Sequence, residues 1–561
     1  MTLKKSLFAL LALTGITCFV IQVGATDEKS QYLRDYDYIK NTVKWQSGSV
    51  KAKNIQWQNQ CETLKPLFEQ CKSDEEHVKN IMRLLALVQD GHTGVTESTV
   101  SWDDLPSKWN VVGGGGLGAG WDNGLYFLQG MTPNHELQGK VPLGSLVAKI
   151  RNRPAWIDLE TLKQYGYKWQ GYSTEHSFFA TIGNCPFFFN DDDRLEITFL
   201  SPELKAITAT LERYPKDGNF NSFEASTPDG VRYQEGAVSK MLTVPWAPDQ
   251  LGYLRITGCM DSGTLKIYDA EFDKLNKASA IVLDCRSMGG GGDDAAWAMA
   301  GRFFKTPVAN GTNGTIKPTG SWQFGGPVVM LQDEKEVSSA ETFTWAMSET
   351  KRVVSVGRPT GGWCIIPQRF KCPSGIASFR MGVYNRETPI TNTFCEGIGW
   401  KPDIEIPYGP VICAHPDFVY QIGLNAVQLL KTGVSRADVI NLFSLLFMGK
   451  TDSFLAATKL LTGRIQGWSP ETLAELIKKD MKTRLEMETL LLTGNGFSPP
   501  DLASAEKRFV NLEAKARLMG FNEEIGRLEK TIKALKNDPV IQEQSQKARK
   551  EIATHVASMD E

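Results

Sequence analysis

Short apolar runs alternate with helix-like stretches between Ser279 and Gly362, and this alternation sets the expected frame of the chain. Ala280 to Cys285 (AIVLDC) has the continuous apolar character of a buried strand. A turn holding Gly289 to Gly292 follows, and a helix is expected from about Asp293. The order then repeats. Pro327 to Leu331 is apolar, a polar elbow follows, a helix is expected to start near Ser338, and Arg352 to Val356 returns as a strand. This rhythm predicts βαβ units in a largely parallel sheet, where reactive groups gather at the carboxyl ends of the strands.

Periodicity also divides the flanks. Residues 26–104 are expected to be helical and to end in the turn DGHTGV. Asp74 to Val88 is the clearest part, with Val78, Ile81, Met82, Leu85 and Val88 on one face and Gly91 suited to a left-handed closing position. Residues 105–215 change character: glycines crowd 113–116, 118 and 120, and GLYFLQG, SLVAKIRNRP and RLEITFL read as strands. A polar connection at 216–250 reads as a linker, 251–412 as the core, and 413–561 as a helical region. The last sixty residues of that region form a charged amphipathic pattern suited to packing on the body or on a partner helix.

A length of 561 residues exceeds one core and predicts several domains. With 41% hydrophobic and 22% charged residues and a net charge of -2, the chain has no general attraction for nucleic acid. Lys4 and Lys5, the apolar run Leu7 to Val23 and the small residues of Val23-Gly24-Ala25 predict a signal peptide over residues 1–25. The mature protein is then expected to be exported, periplasmic or extracellular. No later stretch is long and apolar enough to insert stably in a membrane. Export admits disulfides. Of ten cysteines, Cys61 with Cys71 and Cys364 with Cys372 are close enough in sequence to pair, and Cys285 is expected to stay a buried thiol.

Candidate chemistry is sparse residue by residue. Ser338 stands where an elbow meets a helix, so a hydroxyl there gains from the helix dipole, and the Ser339 amide would point at an oxygen formed by its attack. The same residues, Ser338-Ser339-Ala340-Glu341, also spell a capping box, and the local sequence leaves both readings open. Gly289 and Gly290 could lend amides to an oxyanion, or could simply form a tight turn. The glycine run lacks the ending of a nucleotide-phosphate loop, and no metal-binding spacing of His or Cys occurs, so neither organic cofactor nor metal is expected. Among six histidines, His92 sits in a compact turn just after an apolar helix. Glu396, in FCEGIGWKPDIEIP, precedes a glycine turn and a strand.

Taken in order, LGYLRI, IVLDCRSMGGGG, VVMLQDEKEVSSAETFTWAM, VVSVGRPTGG and EGIGWKPDIEIP resemble the tail-specific, or C-terminal-processing, serine peptidases. DGHTGV upstream and a diverged PDZ-like segment between extend the resemblance over about residues 74 to 410. In the serine–lysine branch of that family a lysine would stand four residues after Pro359, and that position is Trp363. The other branch, resembling the tricorn core protease and the chlamydial protease-like activity factor, uses a histidine and a glutamate in motifs that match His92 and Glu396. The resemblance therefore implies Ser338 as nucleophile, His92 as base and Glu396 as the acid orienting it. Backbone amides of Ser339 and of Gly289 or Gly290 would form the oxyanion hole. It implies an α/β fold: a crotonase-like parallel-sheet protease core with a PDZ-like module, a helical N-terminal region and a helical C-terminal extension. Protein or peptide substrates are implied as partners, and a homodimer is left open. The competing reading is a catalytically inactive relative that binds peptides or ligands. Acyl-CoA chemistry on a crotonase-like sheet ranks last, because an exported chain is separated from that cofactor.

Overall fold

The computed structural model describes residues 31–102, 105, 117–132, 135–181, 194–212, 236–244, 247–310, 314–384, 394–461, 468–494 and 496–559. The expected signal segment, glycines 113–116 and most of the expected linker lie outside them. The chain forms two compact units. The first comprises the described residues of Met1–Trp109, Gly166–Tyr172 and Ile365–Asn385, and the second the remainder.

The first unit is helical with a small sheet. Helices at 31–46, Gly48–Ala52, Trp57–Glu69 and Asp74–Ala86 pack around Ile39, Val43, Val78, Ile81 and Leu85. The last helix begins where Ser73 Oγ accepts the Glu76 N–H at 3.2 Å, and Asp74, Glu75 and Glu76 complement its dipole. Gln89, with φ 52°, takes the positive-φ position after this helix, rather than Gly91. The strand Gly94–Ser98 then pairs antiparallel with Ala377–Tyr384, which pairs with Ile366–Lys371. Phe379 and Met381 of the middle strand join the helices' core.

The second unit is built on a six-stranded sheet. In spatial order its strands are Ile404–Glu405, Val354–Gly357, Val328–Gln332, Ala280–Asp284, Ala247–Ile256 and Ala237–Val244. The first five run parallel and the last is antiparallel, so the expected βαβ core is present. Residues 237–244 form the edge strand of this sheet and residues 247–250 begin the strand beside it, so these residues are not a linker. Side chains alternate between two faces. Ile281, Leu283, Val328 and Met330 pack under the helices Ser262–Asp273, Asp293–Gly301 and Ser339–Glu349. Val282, Val329, Leu331 and Val356 pack under Phe418–Lys431, Arg436–Phe447 and Pro470–Thr493. Burial on both faces explains why these strands read as unbroken apolar runs.

A second, antiparallel sheet runs Leu117–Asp122, Leu125–Met131, Leu146–Ile150, Arg194–Leu200, Ala206–Glu212. The tail helices pack on the body. Leu502–Leu518 and Asn522–Lys536 share a core with Met481, Leu485 and Leu492, while Ala548, Ile552 and Val556 pack on Ile157. No helix among the described residues is long and apolar enough to cross a membrane.

Candidate active site

Ser338 sits at a strand-to-helix bend of the core. The strand Val328–Gln332 ends, a short polar segment turns, and the helix Ser339–Glu349 begins immediately after it. Its backbone is at φ 61°, ψ -123°, a combination that a residue with a β-carbon adopts only under strain. Such strain costs about 1–3 kcal/mol and persists only where the surroundings over-determine it. Here they do. Asp333 Oδ1 accepts the Ser287 N–H at 2.9 Å, Glu336 Oε2 accepts the Thr344 hydroxyl at 2.6 Å, and the Glu336 carbonyl accepts the Gly361 N–H at 2.7 Å. Every residue of the helix that follows is buried. Ser338 and Glu341 are placed as a capping box: the serine side chain faces the Glu341 N–H, and the Ser338 N–H donates to Glu341 Oε2 at 3.1 Å.

The glycine run meets this bend. Met288–Gly291 is a short strand paired in parallel with Gly258–Met260, where the sequence suggested only a turn. A β-carbon on Gly290 would lie 2.6 Å from Ser338 Cβ and 3.1 Å from its Oγ, so only glycine fits there. Ser339 Oγ donates to the Gly291 carbonyl at 2.8 Å, locking the run to the start of the helix. Ser339 is the first residue of that helix, so its N–H is one of the donors for which a helix supplies no internal acceptor.

Glu341 is the hub behind the serine. Its fully buried carboxylate accepts the N–H groups of Ser338, Gly362 (2.7 Å) and Trp363 (2.7 Å) and the Thr360 hydroxyl. Burial pushes its pKa up to about 7, against the pull of these four donors. Trp363, in the position a dyad lysine would occupy, donates its indole N–H to Ser177 Oγ at 2.9 Å. Glu396 is buried one residue beyond Cys395, and its Oε2 accepts the Cys364 N–H at 3.0 Å. The link from Glu396 to Ser338 therefore runs through Cys364, Trp363 and Glu341, all within the second unit.

His92 belongs to the first unit. It is buried, and its turn is shaped by Asp90. That carboxylate accepts the His92 N–H at 2.9 Å, the Thr93 hydroxyl at 2.8 Å and the Gly382 N–H at 3.2 Å. His92 Nδ1 lies 3.8 Å from Asp90 Oδ1, within ion-pair range but too long for a hydrogen bond.

Comparison with known proteins addresses the core directly. Residues 250–406 match the model of peptidase family S41. This segment is similar to the peptidases of that family. A carboxyl-terminal-processing protease of Picosynechococcus sp. is 25% identical over 189 residues, which cover 32% of this chain and 45% of that protein. The match thus spans less than half the length of that relative. Among solved structures, mature CPAF superposes with a TM-score of 0.53 at 12% identity, covering 74% of this chain and 98% of that one. A serine-to-alanine mutant of CPAF gives 0.54 at 11% identity, covering 72% and 98%. These structures share the mixed α/β fold.

Several expectations around this core need correction. Cys364 pairs with Cys395 and not with Cys372, while Cys61, Cys71 and Cys372 are free thiols. Cys372 lies in the first unit and Cys364 in the second, so nearness in sequence was a poor guide. Cys285 is a buried free thiol, as expected, and burial raises its pKa. His176 lies in the helix Glu175–Thr181 and contacts the Thr360 carbonyl at 2.8 Å. His77 is fully buried against Asp35 at 2.8 Å, on the core face of its helix. Asp90 and Glu341 went unassigned as site residues. Their signals, an acid two residues before the histidine and the glutamate of S-x-x-E, were present but read as a turn and a cap. Among the described residues no group of three or more His, Cys, Asp or Glu side chains is arranged to hold a metal ion.

Proposed function

We propose that the chain is an exported serine endopeptidase that cleaves protein substrates through Ser338, His92 and Glu396. The observation that carries this reading is the strained backbone of Ser338 at a strand-to-helix elbow, pressed against Gly290. Strain of this kind projects a nucleophile away from its own backbone and toward an incoming carbonyl. His92 takes the Ser338 proton as the bond to the substrate carbon forms, then returns it to the leaving amine. Glu396 keeps the imidazole in the donating tautomer and offsets the charge it acquires, with Asp90 holding the turn that presents the ring. The oxyanion is received by the Ser339 amide and by that of Gly289 or Gly290, each such donor being worth about 2.7–4 kcal/mol of barrier. The sheet between Leu117 and Glu212 is the PDZ-like module that would position the substrate chain.

The decisive test is active-site labelling. A fluorophosphonate should modify the purified protein at Ser338, and Ser338→Ala should lose both labelling and peptide-bond hydrolysis while keeping its circular dichroism spectrum. A folded wild-type protein that is neither labelled nor active, with the signal segment removed, would favour the binding-protein reading instead.

A further inference from the structure

We propose that the Cys364–Cys395 disulfide is a positioning element for this reaction: it clamps the Glu396 carboxylate in place, and reducing it with a dithiol turns hydrolysis down. The inference rests on the proposed role of Glu396. Both sulfurs are buried in the second unit, with Cα atoms 5.9 Å apart. Cys395 directly precedes Glu396, and Cys364 directly follows Trp363. The same two segments are joined a second time, because the Cys364 N–H donates to Glu396 Oε2 at 3.0 Å. One step further, the Gly397 N–H donates to the Gly362 carbonyl at 3.0 Å, and the Trp363 N–H reaches Glu341, which holds the Ser338 amide. The bond thus closes a continuous path from the acid to the nucleophile.

The placement of Glu396 needs such a clamp. Cys364 and Cys395 are 31 residues apart, and Ile365–Asn385 between them belongs to the other unit. After Cys395 the turn continues through Gly397 (φ 74°) and Gly399 (φ 80°), conformations that give the chain no stiffness of its own. With the disulfide open, the carboxylate would be held to the segment behind Ser338 by hydrogen bonds, each individually weak, and by the packing of Ile398 and Gly399 on Thr360 and Gly362. Reduction is balanced. A dithiol thiolate attacks one sulfur, its second thiol closes on the mixed disulfide, and the reagent leaves oxidised while Cys364 and Cys395 each gain a hydrogen. An oxidising extracytoplasmic compartment would keep the bond closed and the site assembled.

The test uses the full mature chain. Labelling and turnover of the oxidised wild type come first; if both are absent, the protease reading and this proposal fall together. Given activity, dithiothreitol treatment with thiols counted by alkylation and mass, and separately the Cys364→Ser/Cys395→Ser variant, should lower kcat by about 10- to 100-fold at little-changed KM. Circular dichroism should remain folded. In a Glu396→Gln background the same treatments should add no further loss, since the clamp acts only through that carboxylate. Reduced, folded protein with undiminished kcat would overturn the proposal while leaving the protease reading standing. So would an equal further loss in the Glu396→Gln background, which would assign the bond to general scaffolding. Should the double serine variant fail to fold, the reduced wild type still decides the matter.

Discussion

Four donors converge on one buried oxygen pair at Glu341, and that residue shows how much of this site is set by groups outside the proposed trio. Its pKa of about 7 lies above the ~4.3 of an unfolded glutamate. Between those values the folded state holds a proton that the unfolded state has released. The contribution of Glu341 to stability is therefore full at low pH and is lost as pH rises through about 7. Glu341→Gln should abolish this slope, so its Tm should vary less between pH 5 and pH 7 than that of the wild type. It should also be less stable by about 1–3 kcal/mol, because an amide nitrogen would then face N–H donors that need an acceptor. Thermal melts across that range check both statements, and an unchanged slope would remove Glu341 as its source. The chain made Ser338 and Glu341 visible as an S-x-x-E pair. It concealed that the glutamate serves the loop at Thr360, Gly362 and Trp363, because those partners arrive about twenty residues later and only folding brings them back.

Elements were most legible where burial is symmetric and least legible where it is one-sided. Ala280–Asp284 and Val328–Gln332 are buried at every position, and their apolar runs announced them. The edge strand Ala237–Val244 has only Ala237 and Leu242 buried, with Lys240 and Thr243 exposed, so its composition passed for a linker. The glycine run was harder still, since a strand without side chains carries no periodic signal. Its pairing with Gly258–Met260 depends on partners thirty residues upstream. This element sets the room available to Ser338, which yields a direct prediction. Gly290→Ala places a methyl group 2.6 Å from Ser338 Cβ, and neither the buried helix nor the paired strand can yield easily. Overpacking of this kind costs about 1–3 kcal/mol. Fluorophosphonate labelling and kcat should drop sharply while the protein remains folded. Wild-type labelling rates in Gly290→Ala would mean that the elbow is looser than its contacts indicate.

At the scale of the whole chain, the region after residue 412 is half of a core rather than an appendage. Sequence marked it as helical but not which surface it covers, because its apolar stripe would suit the body or a partner equally. Val329, Leu331, Val354, Val356 and Ile404 face it from the parallel sheet, joined there by Phe418, Ile422, Ala426 and Leu429. The fit is close: a β-carbon on Gly423 would lie 2.7 Å from Leu331 Cδ2. Burying each large aliphatic side chain is worth about 1.5–3 kcal/mol. Exposing the five sheet residues together would therefore rival the ~5–15 kcal/mol that holds a whole domain folded. A chain ending at residue 412 keeps Ser338, His92 and Glu396 and the entire matched S41 segment. It should nonetheless fail to accumulate as soluble folded protein, since one face of its sheet would be an open apolar surface. Soluble yield, circular dichroism and fluorophosphonate labelling of that truncation measure the claim. A soluble, folded and labelled truncation would show that the catalytic core closes without its C-terminal helices, and that their packing against Val329 and Leu331 is dispensable.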